Sequence, residues 1–298
     1  MARLRMSGTA LAALLLAAAD LSAQTIRTAP DYRPGQQFRL LLMQTTEDAR
    51  DNPPRKTYEM PVALRVVRRG TAGTELEWVA GKPLRRQDSP PADPVLELAE
   101  KVFENLRLTV RIDPAGRYQG IANEADLLAR LQTFLLLLIP QSAANISDPQ
   151  QRERTIEALR KVLTPQFLLS AARKEVDLYF GLSGLPLDAG VPLRIKTSAM
   201  NPFGSAGVLE GAMEITPLVA NPDSGEVMVE FRQEFDAAAM LGPATAARNA
   251  PGPSWTLSDS GDYVLELETG AVKRVRHVRI LRRNGEPVRV ETTELTRQ

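Results

Sequence analysis

The sequence has 298 residues, a formal net charge of +1 and no cysteine. The lack of cysteine excludes a disulfide framework and thiolate chemistry, and a chain of this length buries enough apolar surface to fold without covalent cross-links. The near-zero charge, with no block of basic residues in the mature chain, argues against a nucleic-acid partner.

Residues 1–23 have the three-part layout of a secretory signal peptide. Two arginines precede an apolar stretch from Ala10 to Ala19, and small residues ending at Ala23 suit a cleavage site. A membrane-spanning helix would need roughly 20 apolar residues, and this stretch is shorter and is followed by Asp20. We therefore expect cleavage after Ala23, a periplasmic or secreted protein, and no transmembrane anchor once the segment is removed.

The first part of the mature chain has the period of two that is typical of β-strands. An apolar run from Phe38 to Met43 predicts a buried strand, followed by a polar loop from Thr45 to Lys56. Apolar residues at alternate positions from Tyr58 to Val66 and from Glu75 to Val79 predict a hairpin. The clearest alternation extends from Leu106 to Ile112 and predicts a strand with one buried face.

The middle of the chain changes to the 3.6-residue period of helices. Asn123 is placed to cap a first helix, which Pro140 should end. Ser147 and Pro149 open a second helix, and Thr164 is placed to begin a third. These three helices predict a helical insert at about residues 123–182.

Strand patterns return in the last third and continue to the end of the chain. Asn284-Gly285 is the strongest hairpin signal among them. The predicted strands are Val208 to Val219, Glu226 to Phe235, Asp262 to Leu267, Val272 to Leu281 and Val288 to Leu295. The pattern predicts a single α+β domain over residues 24–298, in which a mostly antiparallel, curved β-sheet from both chain ends packs on or around the helical insert.

The sequence shows no recognisable catalytic or metal-binding motif. His277 is the sole histidine and lies within a strand pattern, which favours a structural role and leaves no partner for a zinc site. Ser170 is followed at the third position by Arg173, where a serine–lysine hydrolase needs a lysine that can lose its proton. Glu266 and Glu268 alternate with apolar residues as on any solvated strand face. We expect no catalytic residues, no metal and no cofactor, and hence no enzyme.

One feature of the first helix is unusual. Leu131, Phe134, Leu135 and Leu138 form an apolar stripe, and the residues up to Ile139 extend it around the helix axis. This breadth fits either a core helix wrapped by the sheet or a helix that lines an apolar cavity, as in carriers of lipid-like molecules. The four residues of the stripe are therefore the candidate ligand-binding residues.

Three short segments carry a family resemblance: Pro34 to Arg39, Ile112 to Arg117 and Leu267 to Val272. With them the chain resembles uncharacterised exported envelope proteins of Gram-negative bacteria, classed as domains of unknown function. It is more distantly similar to periplasmic lipoprotein carriers with a curved antiparallel sheet around helices, a likeness that implies an open apolar concavity. The segments are turns rather than sites, so no functional residue is transferred.

Three functions stay open at this point. The first is a non-catalytic envelope module that binds or carries an apolar ligand, such as a lipid-like molecule, or a protein partner. The second is a structural or assembly factor of the envelope without a small ligand, and the third is a hydrolase. The patterns do not indicate an oligomeric state.

Overall fold

The protein is described from a computed structural model that covers residues 25–49, 55–85, 106–200, 208–218, 223–235 and 254–298. The strands are β1 (Thr25–Ile26), β2 (Gln37–Asp48), β3 (Arg55–Gly70), β4 (Gly73–Ala80), β5 (Leu84–Arg85), β6 (Arg107–Ile112), β7 (Tyr118–Ile121), β8 (Leu187–Asp188), β9 (Leu193–Met200), β10 (Val208–Pro217), β11 (Glu226–Phe235), β12 (Trp255–Glu266), β13 (Val272–Arg283) and β14 (Glu286–Arg297). The helices are α1 (Glu124–Ser142), α2 (Pro149–Val162) and α3 (Pro165–Tyr179). Within these ranges, no helix has both the length and the apolar content needed to cross a bilayer.

Within the described ranges, twelve strands form one antiparallel sheet. Eleven of them follow the order β7-β6-β4-β3-β2-β14-β13-β12-β11-β10-β9, and β5 pairs with β3 off this path. β1 and β8 form a separate two-stranded sheet. Strands from the two ends of the chain meet where β2 pairs with β14, for example at Leu42 and Leu295. The predicted α+β fold, with a large antiparallel sheet from both chain ends and a three-helix insert, is confirmed.

The alternation in the sequence correctly predicts the buried face of strands such as β6 and β11. On β6, Leu108, Val110 and Ile112 are buried, whereas Arg107 and Arg111 are exposed. β11 shows the same regular alternation along its whole length. The buried faces of the strands combine with the inner faces of the helices into one main hydrophobic core. Alternating side chains therefore build a sheet that the helices cover on one face.

Several strand boundaries differ from the prediction, and the short strands β1, β5, β7 and β8 were not predicted. The segment from Thr45 to Asp48, predicted as loop, continues β2, because each of its residues pairs with a residue of β14. β12 begins at Trp255, seven residues before the predicted start at Asp262, since Ser258, Asp259 and Ser260 are polar and weaken the hydrophobic signal. Two further segments, Ser89 to Pro94 and Leu241 to Pro253, are rich in proline and their composition predicts irregular structure. Both lie outside the described residues.

The helix ends also show where local rules were incomplete. Thr164 caps α3 as predicted, because its side chain accepts a hydrogen bond from the backbone N–H of Phe167. The second helix is capped by Asp148 rather than by the predicted Ser147, because the Asp148 side chain accepts a hydrogen bond from the backbone N–H of Gln150. Asn123 occupies the cap position of α1 but makes no capping hydrogen bond, and Pro140 lies within α1, which continues to Ser142.

Asn284 and Gly285 form the hairpin turn between β13 and β14. Both residues have positive φ, 52° and 86° respectively, as a type I′ turn requires at its two central positions. This turn was predicted from the dipeptide alone and is confirmed.

Candidate functional site

A pocket of about 240 Å³ lies between α3 and the sheet. Most of its wall is apolar. The apolar residues are Leu42, Met60, Trp78, Ala80, Pro83, Leu106, Leu108, Ala171 and Ala172, and the polar residues are Gln44, Tyr58 and Glu175. We call this space the α3 pocket.

The floor of the α3 pocket follows from strand alternation. Leu42 and Gln44 are two residues apart on β2, so both side chains point to the same face of the sheet. Tyr58 and Met60 repeat this arrangement on β3, where Met60 pairs with Leu42 and Tyr58 with Gln44. Strand registry therefore places two polar side chains side by side at one part of an otherwise apolar floor.

The middle of α3 forms the roof of the pocket. Contacts at the C-terminal end of α3 hold the helix in place. Tyr263 donates a hydrogen bond to the backbone oxygen of Leu178 at 2.6 Å, and Tyr118 donates one to Asp177 at 2.7 Å. Tyr179, the last residue of α3, packs edge-to-face on Trp78 with ring centroids 5.8 Å apart. With the helix fixed by these contacts, the small side chains of Ala171 and Ala172 leave space above the sheet.

The polar groups of the pocket retain unused hydrogen-bonding capacity. Among the described residues, the side chains of Gln44 and Tyr58 have no hydrogen-bond partner. Burial raises the pKa of the Glu175 carboxyl to about 6, although the positive charge of Lys174 opposes this change. The neighbouring Lys174 points instead to β14, where its Nζ lies 3.0 Å from a carboxylate oxygen of Glu291. The pocket thus offers three polar groups to a molecule bound inside it.

A second polar cluster lies further along the same sheet. Asp259 on β12 is almost fully buried and accepts two hydrogen bonds from Arg279, at 2.8 and 2.7 Å. His277 places its Nε2 3.3 Å from the same carboxylate. Burial alone would raise the pKa of Asp259, but the hydrogen bonds from Arg279 and His277 outweigh it and lower the pKa to about 2.

This second cluster has the geometry of a structural ion pair. His277 stacks on Phe231 with ring centroids 6.0 Å apart, and both rings lie over Gly261, which pairs with each of them across the sheet. A Cβ added to Gly261 would come within 2.7 Å of the Phe231 ring. Since bonds within the cluster occupy the Asp259 carboxylate, we assign it no binding role. Elsewhere in the described ranges, His, Asp and Glu side chains form no group that could hold a metal.

The four residues predicted to bind ligand lie elsewhere. Leu131, Leu135 and Leu138 are buried in the main core, and Phe134 is half-buried against it. None of the four lines the α3 pocket. Their binding role stays a prediction that the pocket does not support. The sheet also leaves two neighbours uncovered, since Leu136 and Leu137 are 68% and 62% exposed.

The other candidates considered from sequence are engaged in local contacts. Glu266 accepts a hydrogen bond from Thr269 and lies 3.4 Å from Arg297. Arg173, in the segment that lacks the hydrolase lysine, pairs with Asp177 at 2.9 Å.

The sequence analysis missed Glu175, although one signal was present. Glu175 lies seven residues after Leu168 and four after Ala171, so helical periodicity places it on the same face of α3 as these apolar residues. A single carboxylate on the apolar face of a helix is the pattern that would have indicated it, because such groups are rarely buried without a reason.

Comparisons with known proteins identify no family. No protein-family model and no curated protein matches the sequence. Among solved structures, one of lipovitellin, described as "Lipid-protein interactions in lipovitellin", is similar with a TM-score of 0.41 and 11% sequence identity. The match covers 90% of this chain and 25% of the lipovitellin chain. The likeness is distant, and we base no inference on it. The resemblance to exported envelope proteins therefore stays a prediction.

Proposed function

We propose that this protein is a non-catalytic binding or carrier module of the cell envelope that holds an apolar ligand in the α3 pocket. The observation that carries the proposal is the pocket itself, a space of about 240 Å³ with a mainly apolar wall between a helix and a sheet. Residues 1–23, with their signal-peptide pattern, support placing this activity outside the cytoplasm.

Packing energetics favour an apolar occupant. Protein interiors are packed as densely as organic crystals, so unfilled space beside Trp78, Leu108 and Met60 loses dispersion contacts. Water molecules in the pocket would not compensate for these lost contacts, because a well-held water molecule needs roughly two to four polar partners. An apolar molecule would contact most of the wall and release the water there.

The chemistry of the wall favours binding over catalysis. Among the described residues that line the pocket there is no serine, threonine or histidine, so this part of the wall offers no base-activated hydroxyl of the kind that hydrolases use. The same described residues give Glu175 no second carboxylate that could share acid and base roles with it.

The experiment tests the proposal by filling the pocket with a larger side chain on α3. Replacing Ala172 by Phe would occupy the space above Met60 and Trp78. Ala158→Phe on α2 is the matched control, because Ala158 is an exposed helical alanine away from the pocket. We expect the folded wild-type protein and Ala158→Phe to bind an environment-sensitive apolar dye and decan-1-ol to displace it, whereas Ala172→Phe loses dye binding.

Circular dichroism melting would establish that each variant is folded before binding is measured. If the folded wild-type protein binds no dye, or if folded Ala172→Phe binds dye as well as Ala158→Phe does, the proposal is wrong. The structural or assembly-factor function would then be favoured. Protein isolated from its native cells and analysed by gentle mass spectrometry should also carry a lipid-like molecule that denaturing extraction releases.

A further inference from the structure

The polar groups of the α3 pocket gather at one end. Gln44 and Tyr58 are paired across β2 and β3. Lys174, which precedes Glu175, reaches Glu291, and Glu291 pairs with Thr46, two residues beyond Gln44 on β2. The helix turn that carries Glu175 therefore lies over the end of the pocket where Gln44 and Tyr58 are located.

The opposite end of the pocket is apolar. Trp78 on β4 pairs directly with Leu108 on β6, and both side chains are almost fully buried. A molecule bound in the pocket would thus meet hydrocarbon and indole surface at one end and three polar groups at the other. This polarity fits an amphiphile with a single compact head group.

The polar end is rich in hydrogen-bond acceptors. An ionised Glu175 accepts only, the amide oxygen of Gln44 accepts, and the phenolic oxygen of Tyr58 can do so. We propose, on the basis of the proposed function, that the ligand is an amphiphile whose head group donates hydrogen bonds, and that a long-chain primary amine fits this pocket better than a fatty carboxylate. The Gln44 amide nitrogen and the Tyr58 hydroxyl can also donate to a carboxylate head, but that head would lie against the like charge of Glu175.

The charges around Glu175 agree with this preference. On its own helix it has Lys174 and Asp177, on β14 it faces Glu291, and on β3 the titratable group is Tyr58. Lys174 is already engaged by Glu291, so its positive charge is partly compensated. Together these described groups leave the polar end short of positive charge, which an ammonium head group would supply.

The same groups predict how binding changes with pH. Burial raises the pKa of Glu175 to about 6, so its carboxyl loses negative charge as the pH falls through that value. Binding of an alkylammonium should weaken over this interval, because the charge it pairs with disappears. Binding of a fatty carboxylate should strengthen over the same interval, and binding of an alcohol should change least.

The test is a dye-competition titration with decylamine, decan-1-ol and decanoate, which share one chain length and differ in head group. At pH 8 we expect decylamine to bind the wild-type protein roughly tenfold more tightly than decanoate, as one pKa unit of interaction corresponds to a tenfold change. The preference should shrink at pH 5. Glu175→Gln should abolish it at both pH values, whereas Glu157→Gln, on an exposed position of α2, should retain it.

Two failures are distinguishable. If the dye binds and decan-1-ol displaces it, but decanoate competes as well as decylamine at pH 8, the head-group proposal is overturned and the pocket proposal stands. The same holds if Glu175→Gln keeps the full preference. If folded wild-type protein binds neither dye nor any of the three compounds, the proposed function itself fails.

Discussion

At the scale of the residue, Glu175 is a half-buried carboxylate in the wall of the α3 pocket. Burial raises its pKa from an ordinary 4.5 to about 6, against the opposing charge of Lys174. Because this folded-state pKa lies above the unfolded value, the folded protein binds the proton more tightly. The resulting stability is fully present below pH 4.5 and is lost as the pH rises through 6.

Glu175→Gln should therefore stabilise the protein at high pH only. We expect the free energy of unfolding to rise by about 1 kcal/mol at pH 8, since a shift of one pKa unit is worth roughly 1.4 kcal/mol and the side chain keeps some solvent contact. Below pH 4.5, where Glu175 is largely protonated, little change is expected. Urea unfolding at both pH values measures the free energy of unfolding of Glu175→Gln, with Glu157→Gln as the control. Equal gains at both pH values would contradict the assignment.

At the scale of the element, β6 tests the assignment of sheet faces. Leu108 is almost fully buried against the core and lines the α3 pocket, whereas Thr109 is on the opposite, partly exposed face. Leu108→Asp places an unpaired charge among apolar side chains and should cost about 3 to 5 kcal/mol. Thr109→Asp should cost less than about 1 kcal/mol.

Thermal melting of the two β6 variants gives a direct comparison. Equal losses of melting temperature would show that the two faces are not distinguished as the structure describes. The neighbouring charge of Glu77, which pairs with Thr109, adds only a small exposed repulsion to the second variant.

The join between β6 and α1 illustrates what an element's own sequence leaves undetermined. Asn123 has the right residue type and position for a helix cap. In the structure its amide oxygen accepts a hydrogen bond from the Thr109 N–H at 2.8 Å, and its amide nitrogen donates to the Arg107 oxygen at 3.0 Å. The Asn123 side chain thus links the start of α1 to β6, because it binds the backbone N–H of Thr109 and the backbone oxygen of Arg107.

At the scale of the whole molecule, the first described residues anchor the chain beside the insert. Ile26 and Tyr32 are buried in the main core, and the Thr28 hydroxyl donates to the backbone oxygen of Leu185 at 2.7 Å. A chain that begins at Gln24, where we expect export to cleave it, keeps all these contacts. It should be as stable as the full-length protein.

A chain that begins at Arg33 loses Ile26 and Tyr32 from the core and should be less stable by roughly 3 to 6 kcal/mol, at about 1.5 to 3 kcal/mol for each large apolar side chain. Urea unfolding of the three chain lengths tests this expectation. N-terminal sequencing of protein from its native cells tests the cleavage itself. Finding Met1 intact on the exported protein would contradict it, as would equal stability of the chain that begins at Arg33.

Local periodicity predicted most of the fold and little of the candidate site. Alternation placed Tyr58 and Met60 on one buried face, and the 3.6-residue period placed Ala171 on the inner face of α3. Neither the strand period nor the helix period indicates which strand lies beneath which helix. The apolar stripe around Leu135 therefore fitted either a core helix or a cavity wall, and the structure buries Leu135 in the main core.

The sequence by itself determined the three helices, most of the long strands and the buried face of strands such as β6 and β11, because these depend on side-chain spacing along one stretch of chain. It also determined the hairpin turn at Asn284-Gly285, where both residues take positive φ. Only the tertiary structure decided that α3 lies over β2, β3, β4 and β6, and that Glu175 faces Gln44 and Tyr58 across a pocket. Those contacts join residues more than 60 positions apart, and their geometry depends on the order in which strands from both chain ends pair.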